Sequence, residues 1–176
     1  MKQRYLSEIA RNWHTRQAGG QTDGARGIMS ACTASALCIE AVLREALRRD
    51  APALIEATAN QVNPDGGYTG MNAVRYRDFV HGIAEKVGFP REALILGGDH
   101  IGPLPYKALA GEAAMAKAET LVYEYAAAGF SKLHLDTSMA LGDDAVHPSD
   151  EVIAERAARL ARAASAGFAA WKRQAS

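Results

Sequence analysis

The chain alternates short apolar segments with longer amphipathic segments, and this alternation limits its possible folds more than any other feature. The short segments are apolar enough to be buried strands, and each is followed by apolar residues at helical spacing. Strands that alternate with helices form parallel sheets, so the predicted class is α/β, with one helix before the first strand. The predicted strands are 27–32, 53–57, 93–98 and 132–136, and the predicted helices are 4–16, 35–49, 72–87, 112–128 and a last one that opens at 148.

Two architectures fit this order, a doubly wound open sheet and a (β/α)8 barrel of the TIM type. The nucleotide-binding form of the open sheet has a glycine-rich turn after its first strand, whereas residues 33–36 read Thr-Ala-Ser-Ala. We therefore favour the TIM-barrel type. A full barrel takes roughly 250 residues, so this chain is predicted to supply only the first four βα units, a half barrel. The predicted division is an N-terminal helix and linker over 1–23 and a partial (βα)4 domain over 24–176.

Composition excludes several kinds of partner. The 20 Lys and Arg residues balance the 20 Asp and Glu residues, so nothing indicates a nucleic-acid binder. No apolar run reaches the roughly 18 residues of a membrane span, and residues 1–11 lack the apolar core of a signal peptide. We expect a cytoplasmic protein that binds neither nucleic acid nor membrane. Its two cysteines, Cys32 and Cys38, are interpreted as reduced packing residues.

Ionisable residues gather where the predicted strands end. In a parallel barrel these ends form one mouth, and functional groups collect there. A lone acid at a strand end can also cap the next turn, and Asp136 could brace a turn that begins at Thr137 and Ser138. His134 could likewise be a hydrogen-bonded core histidine. The residues in question are Glu56 at the end of strand two, Asp99 and His100 at the end of strand three, and His134 and Asp136 on one face of strand four.

The pair Asp99-His100 is the strongest of these signals. It follows Gly97-Gly98, which permits close approach of backbone or ligand. An acid beside a histidine at a barrel mouth can move a proton and bind a metal, respectively. The polar loop 60–70 offers Asn60 and Tyr68, which either contact a ligand or belong to a rim loop without chemistry. Residues 171–174 are predicted to be a solvated tail.

Four longer strings closely resemble one family. They are 54–63, 66–71, 95–103 and 129–136, and the resemblance runs in order from about Gly24 to Ala164. The family is the non-catalytic subunit of class II D-tagatose-1,6-bisphosphate aldolase, the GatZ/KbaZ type, whose members are also described as tagatose-6-phosphate kinases. Its members are more than twice as long as this chain. The phosphate-binding pattern G-x-x-x-x-G-K-[ST] of many kinases is absent from this sequence.

The resemblance implies a barrel related to class II aldolases, which cleave a ketose bisphosphate through an enediolate held on a divalent metal, usually zinc. It implies that Asp99 moves a proton, that His100 binds zinc or manganese, and that Asp136 is the acid of strand four. The other two metal histidines of those enzymes come from later strands. A catalytic zinc site needs about three protein ligands, so the lone chain is predicted to be inactive.

Three hypotheses follow. The first is an accessory subunit, here an N-terminal portion, that supports a catalytic class II aldolase partner acting on a sugar phosphate in galactitol or N-acetylgalactosamine catabolism. The second is a metal-dependent sugar C4-epimerase or aldolase in its own right, with Glu56, Asp99 and Asp136 catalytic, His100 on the metal, and Asn60, Tyr68 and His134 on the substrate. The third is an inactive remnant with an interaction role. Open sheet edges make an oligomer the expected state.

Overall fold

The computed structural model describes residues 2–21, 27–144 and 147–174, and it contains four strands and five α-helices in that part of the chain. After the first helix, strands and helices alternate as the sequence predicts. The described helices include none that is both long and apolar enough to cross a bilayer. The elements are α1 Lys2–Gln17, β1 Ser30–Cys32, α2 Ala36–Arg48, β2 Ala53–Thr58, α3 Ala73–Val87, β3 Leu94–Ile101, α4 Gly111–Ala127, β4 Lys132–Leu135 and α5 Asp150–Gln174.

The four strands form one parallel sheet in the order β1-β2-β3-β4. Consecutive strands that are neighbours and parallel, each pair joined by a helix, are the arrangement of a TIM barrel opened after four units. The predicted α/β class and half-barrel arrangement are therefore confirmed. The predicted boundary between 23 and 24 lies outside the described residues, so the division into two parts stays a prediction.

The hydrophobic core lies between the sheet and helices α2 to α4. Strand residues such as Ile55 and Leu96 alternate with residues on the other face and are buried against these helices. Two fully buried tyrosines join this layer to strand and loop backbone. The Tyr76 hydroxyl donates to the carbonyl oxygens of Thr33 and Glu56, and the Tyr125 hydroxyl donates to that of Val62. Each bond satisfies a polar group that would otherwise be costly to bury.

The ends of β2 and β3 differ from the prediction. Strand β2 continues one residue further than predicted, to Thr58, and β3 continues to Ile101, so Asp99 and His100 lie inside the strand. The apolar pattern of β3 is interrupted because Asp99 and His100 lie among ionisable neighbours, although its last residue, Ile101, is again buried in the core. Backbone pairing continues where the apolar pattern stops.

Residues 171–174 were predicted to be a solvated tail; they are exposed as predicted, but they are helical rather than a tail. Helix α5 runs on to Gln174, and the indole of Trp171 lies against Gly129, where a Cβ would be 2.8 Å from Nε1. The Trp171 ring also stacks on Phe168, with centroids 5.6 Å apart. One side of the Trp171 ring is therefore packed while the rest of it stays exposed, and the basic residues beyond it are exposed throughout.

Candidate functional site

One row of side chains crosses the sheet on the face opposite the helices. The register pairs Cys32 with Glu56, Glu56 with Gly97, and Gly97 with Lys132. Paired residues of a parallel sheet point to the same face, so these four share it. The next row toward the carboxyl ends of the strands holds Asp99 and His134. The polar residues of three strands thus lie on one face near one end.

Glu56 is the most buried ionisable side chain of this face, with 1% of its surface exposed. The Ser30 hydroxyl donates to its Oε2, and the Lys132 ammonium lies 2.7 Å from its Oε1. A Cβ on Gly97 would overlap this carboxylate, so only glycine leaves room for it beside β3. Because Glu56 is enclosed, it is placed to orient other groups rather than to meet a large ligand.

Lys132 joins Glu56 to the groups nearer the strand ends. Its Nζ lies 3.8 Å from Asp99 Oδ1, and 32% of its side chain is exposed. The sequence reasoning missed this residue, although a signal was present. Strand alternation places Lys132 on the same face as His134, two residues along β4. A lysine on the polar face of an otherwise apolar strand is a candidate for pairing with a buried acid.

Asp99, His100 and His134 form a compact cluster at this end of the sheet. Asp99 Oδ1 lies 2.9 Å from Nδ1 of His134, and Asp99 Oδ2 lies 3.2 Å from Nδ1 of His100. The two imidazole rings are 4.6 Å apart between centroids. An ionised carboxylate only accepts hydrogen bonds, so the proton sits on Nδ1 of each histidine that bonds to it. The structure therefore brings together three of the predicted site residues.

A β-bulge explains how neighbouring residues of β3 both reach this cluster. Gly98 pairs with Leu133 and Ile101 pairs with Leu135, so Asp99 and His100 together oppose His134 alone. Adjacent strand residues normally point to opposite faces, and the extra residue of a bulge breaks that rule. His100 adopts φ +50°, a left-handed conformation that costs a residue with a Cβ about 1 kcal/mol. Such strain is typical of functional positions.

Opposing effects act on the pKa of Asp99. Burial would raise it, but the hydrogen bonds with His134 and His100 and the positive charge of Lys132 outweigh burial, so the pKa lies below its ordinary value. Asp99 is therefore ionised at neutral pH. In that state it can accept a proton or bind a cation.

Asp136 fits one of the two interpretations that the sequence left open, the brace of a turn, and its functional role stays a prediction. Its Oδ1 accepts hydrogen bonds from the backbone N–H and the hydroxyl of Ser138, at 3.0 and 2.7 Å, so it braces the turn after β4. Burial raises the pKa of Asp136. The Ser138 hydrogen bonds and the nearby His100 and His134 lower it by more, so the net shift of the pKa is downward. Asp136 thus holds its turn and adds negative charge beside the histidine pair.

Asn60 and Tyr68 lie in the loop between β2 and α3. The Tyr68 N–H donates to the Asn60 carbonyl oxygen at 3.0 Å, which closes the loop, and the Tyr68 side chain is 73% exposed. Within the described residues, no hydrogen bond or ring contact joins either side chain to the cluster. Their predicted role in substrate binding stays a prediction.

Cys32 is a further member of the site that the sequence did not identify. Its thiol lies close enough to Asp99 to feel the charge of that carboxylate, and both cysteines of the chain are free and exposed rather than packed as predicted. Burial, with the negative charges of Asp99 and Glu56, raises the pKa of Cys32 to about 11. The thiol is protonated at neutral pH, which agrees with a reduced, unreactive residue.

A parallel sheet covered by helices, with acids and imidazoles grouped toward the carboxyl ends of its strands, defines an α/β protein of the partial TIM-barrel type. The sequence model of the family described as "D-tagatose-1,6-bisphosphate aldolase subunit GatZ/KbaZ-like" matches residues 13–176. The chain belongs to this family.

A solved structure supports both the fold and the relationship. It is the crystal structure of a probable tagatose 6 phosphate kinase from Sinorhizobium meliloti 1021, which is 53% identical to this chain and superposes with a TM-score of 0.78. The match covers 80% of this chain and 36% of that chain. The chain therefore spans little more than a third of the length of this relative.

Proposed function

We propose that this chain is part of an accessory, non-catalytic subunit of a class II D-tagatose-1,6-bisphosphate aldolase that serves galactitol or N-acetylgalactosamine catabolism in the cytoplasm. The observation that carries this proposal is the family match over residues 13–176. The chain would contribute the first four βα units of the subunit and bind a catalytic aldolase subunit. The assembly would act on a sugar phosphate.

The polar face would add a site for a sugar phosphate, which is separate from the support given to the partner. The half-exposed rings of His100 and His134 and the partly exposed ammonium of Lys132 offer donors to hydroxyl and phosphate oxygens of a sugar phosphate. Asp99, held ionised by its neighbours, can hold or accept a proton beside them. Glu56 would orient Lys132 and thereby fix where its charge is presented.

The test is reconstitution with a catalytic class II aldolase subunit. We expect the chain to bind that subunit and to raise its rate of tagatose-1,6-bisphosphate cleavage or its half-life at elevated temperature, while the chain alone cleaves nothing. Asp99→Asn and His100→Ala should support the partner as well as the unchanged chain does, because an accessory role needs the surface and not the proton transfer. A partner whose activity, stability and hydrodynamic size are unaffected by the chain would refute the proposal.

The second candidate is a zinc- or manganese-dependent sugar C4-epimerase or aldolase in its own right. It is favoured by one specific observation, the grouping of Asp99 with two histidines inside this chain, where the resemblance supplied a single metal ligand. In the same assay with added zinc or manganese, epimerisation or cleavage by the lone chain that disappears in His100→Ala would establish this candidate over the first.

A further inference from the structure

We propose that a second copy of this chain completes the barrel, with β1 of each copy pairing with β4 of the other. Within the described residues, the parallel strands run in the order β1-β2-β3-β4, so β1 and β4 each have one free edge. Eight parallel strands close a TIM barrel, and this chain supplies four. A two-fold axis along the barrel keeps every strand parallel and makes both junctions at once, so two copies close the assembly. The inference goes beyond the subunit role and does not rest on it.

The chain exposes more surface than a compact monomer of its mass does. A folded monomer of 18.8 kDa exposes roughly 8,300 Å², whereas this chain exposes 9805 Å². The excess is about 1,500 Å². Each partner of an obligate dimer buries roughly 1,000–2,500 Å². The extra surface is therefore large enough for a stable interface with a second copy.

A cavity beside β4 offers room for the side chains of a further strand. Its volume is about 720 Å³, and it lies between α1, α5 and the start of β4. Its walls are mainly apolar and include Leu6, Phe130, Leu133, Phe168 and Trp171. Leu133 is on the helix-facing side of β4 and packs against the core. A strand that pairs with the free edge of β4 would direct every second side chain to this side of the sheet, where the cavity lies.

Met29, at the opposite edge of the sheet, is the side chain that fits this cavity. It directly precedes β1, and 68% of its surface is exposed. The Ser30 hydroxyl points to the polar face, where it donates to Glu56, and Ala31 packs against the core. Strand alternation therefore places Met29 on the helix-facing side, with Ala31. One free edge thus presents an unpacked apolar side chain, and the other presents an apolar cavity.

The stagger of the strands brings these two features to the same level. Cys32, the last residue of β1, shares a row across the sheet with Lys132, the first residue of β4. Around an eight-stranded TIM barrel the register shifts by about eight residues, so four strands account for about four. Continuing the row from Lys132 into the second copy reaches a point about four residues before Cys32. Met29 of the second copy then lies beside Leu133.

The second copy would also complete the polar interior. Its Ser30 and Cys32 face inward and would line the barrel beside Lys132 and His134 of the first copy. Both side chains are small and uncharged, so the junction brings no like charge against the Lys132 ammonium. The polar face, which is open at both edges in one copy, would be enclosed on all sides, as the interior of a barrel is.

The test links the two edges covalently in the intact 176-residue chain. One preparation carries Met29→Cys and a second carries Leu133→Cys, both with Cys32→Ser and Cys38→Ser, and circular dichroism confirms that each is folded. Neighbouring strands lie about 4.8 Å apart, within the Cα separation that a disulfide spans. After the preparations are mixed and oxidised, we expect a disulfide-linked dimer that neither preparation forms alone. Val74→Cys replaces Met29→Cys in the matched control and should give no link to Leu133→Cys.

Sedimentation measures the association itself. We expect a dimer of twice 18.8 kDa, which Met29→Glu weakens at least about 100-fold, because burying one methionine is worth about 10- to 150-fold and the dimer contains two such contacts. Met29→Leu keeps the apolar side chain and should keep the dimer. A chain that is monomeric at every concentration would overturn the proposal, as would a disulfide-linked dimer from Met29→Cys alone, which means that two β1 edges meet. These outcomes do not depend on whether an aldolase subunit binds.

Discussion

At the residue scale, the positions of Glu56 and Lys132 depend on each other. Burying a carboxylate costs several kcal/mol unless a partner compensates its charge, and Glu56 has 1% of its surface exposed. Lys132 supplies the charge and Ser30 supplies a hydrogen bond. Removing one member of such a pair is more harmful than removing both, because the survivor remains buried without compensation.

We therefore predict that Lys132→Met lowers the free energy of unfolding by about 2 kcal/mol, below the 3–5 kcal/mol typical of fully buried pairs because Lys132 is partly exposed. The double variant Glu56→Gln/Lys132→Met should regain more than half of this loss, since the glutamine amide oxygen can still accept from Ser30. Urea denaturation at pH 7 measures both variants. Lys86→Met, at an exposed position near the end of α3, is the matched control and should change stability by less than about 0.5 kcal/mol.

A double variant no more stable than Lys132→Met would mean that the lysine contributes packing of its aliphatic stem and not charge compensation. In that case the charge of the buried Glu56 would be compensated without Lys132. The pairing would then have no part in orienting Asp99.

Residue identity at the site was largely readable from sequence, but the contacts were not. Placement at the strand ends singled out Asp99, His100 and His134, and the structure brings them together. The influence of the Asp99 charge on Cys32, two strands away in the sheet, could not be anticipated. It depends on the register between strands, which is set by tertiary packing. The roles of these residues in catalysis and binding remain predictions.

At the scale of elements, α5 packs closely on α4, and one glycine makes this possible. Gly167 is buried where the two helices meet, and a Cβ there would overlap the carbonyl oxygen of Tyr123 and approach the Cβ of Ala126. Small residues at a helix crossing let the backbones approach, while a glycine inside a helix costs about 1 kcal/mol in propensity. The close contact must more than offset that cost.

We predict that Gly167→Ala destabilises the protein by about 1–3 kcal/mol, the usual cost of overpacking a well-packed contact. Gly82→Ala in α3 should do the opposite, with a gain of up to about 1 kcal/mol in helix propensity, because no atom of the surroundings lies within 4 Å of the added Cβ. Thermal unfolding of the two variants compares the same chemical change in two environments. Equal effects would contradict the predicted close packing of α4 and α5.

Ion pairs join the loop after β4 to α5, and they join α5 to α4. Arg156 binds both carboxylate oxygens of Asp144 at 2.6 Å, and Arg159 binds Glu119 and Glu112 on α4 at 2.6 and 2.7 Å. Two parallel bonds from one guanidinium fix both groups in direction as well as distance. The segment that carries Asp136 is thereby held beside the site.

At the scale of the whole molecule, the sheet has two open edges. Within the described part of the chain, β1 pairs only with β2 and β4 pairs only with β3. Unpaired edge strands invite association with other chains. Helix α2, next to the β1 edge, exposes 79% of the Leu37 side chain, and Met29 before β1 is 68% exposed. Apolar residues exposed beside an open edge favour an oligomer.

We predict that the purified chain elutes above its monomer mass of 18.8 kDa in light scattering, or binds a hydrophobic dye, and that Leu37→Glu shifts it toward the monomer without lowering stability. Val74→Glu, also at an exposed apolar position but on α3, should leave association unchanged. A stable monomer that binds no dye would contradict the prediction.

The sequence by itself determined the order of elements, the α/β class and the residues that gather at one end of the sheet, because periodicity and strand-end placement are local properties of the chain. Only the tertiary structure decided how those residues meet. The bulge that turns Asp99 and His100 toward His134, the Lys132–Glu56 pair and the packing of Trp171 all depend on register and helix contact. These follow from the balance of many distant contacts, which no short stretch of sequence records.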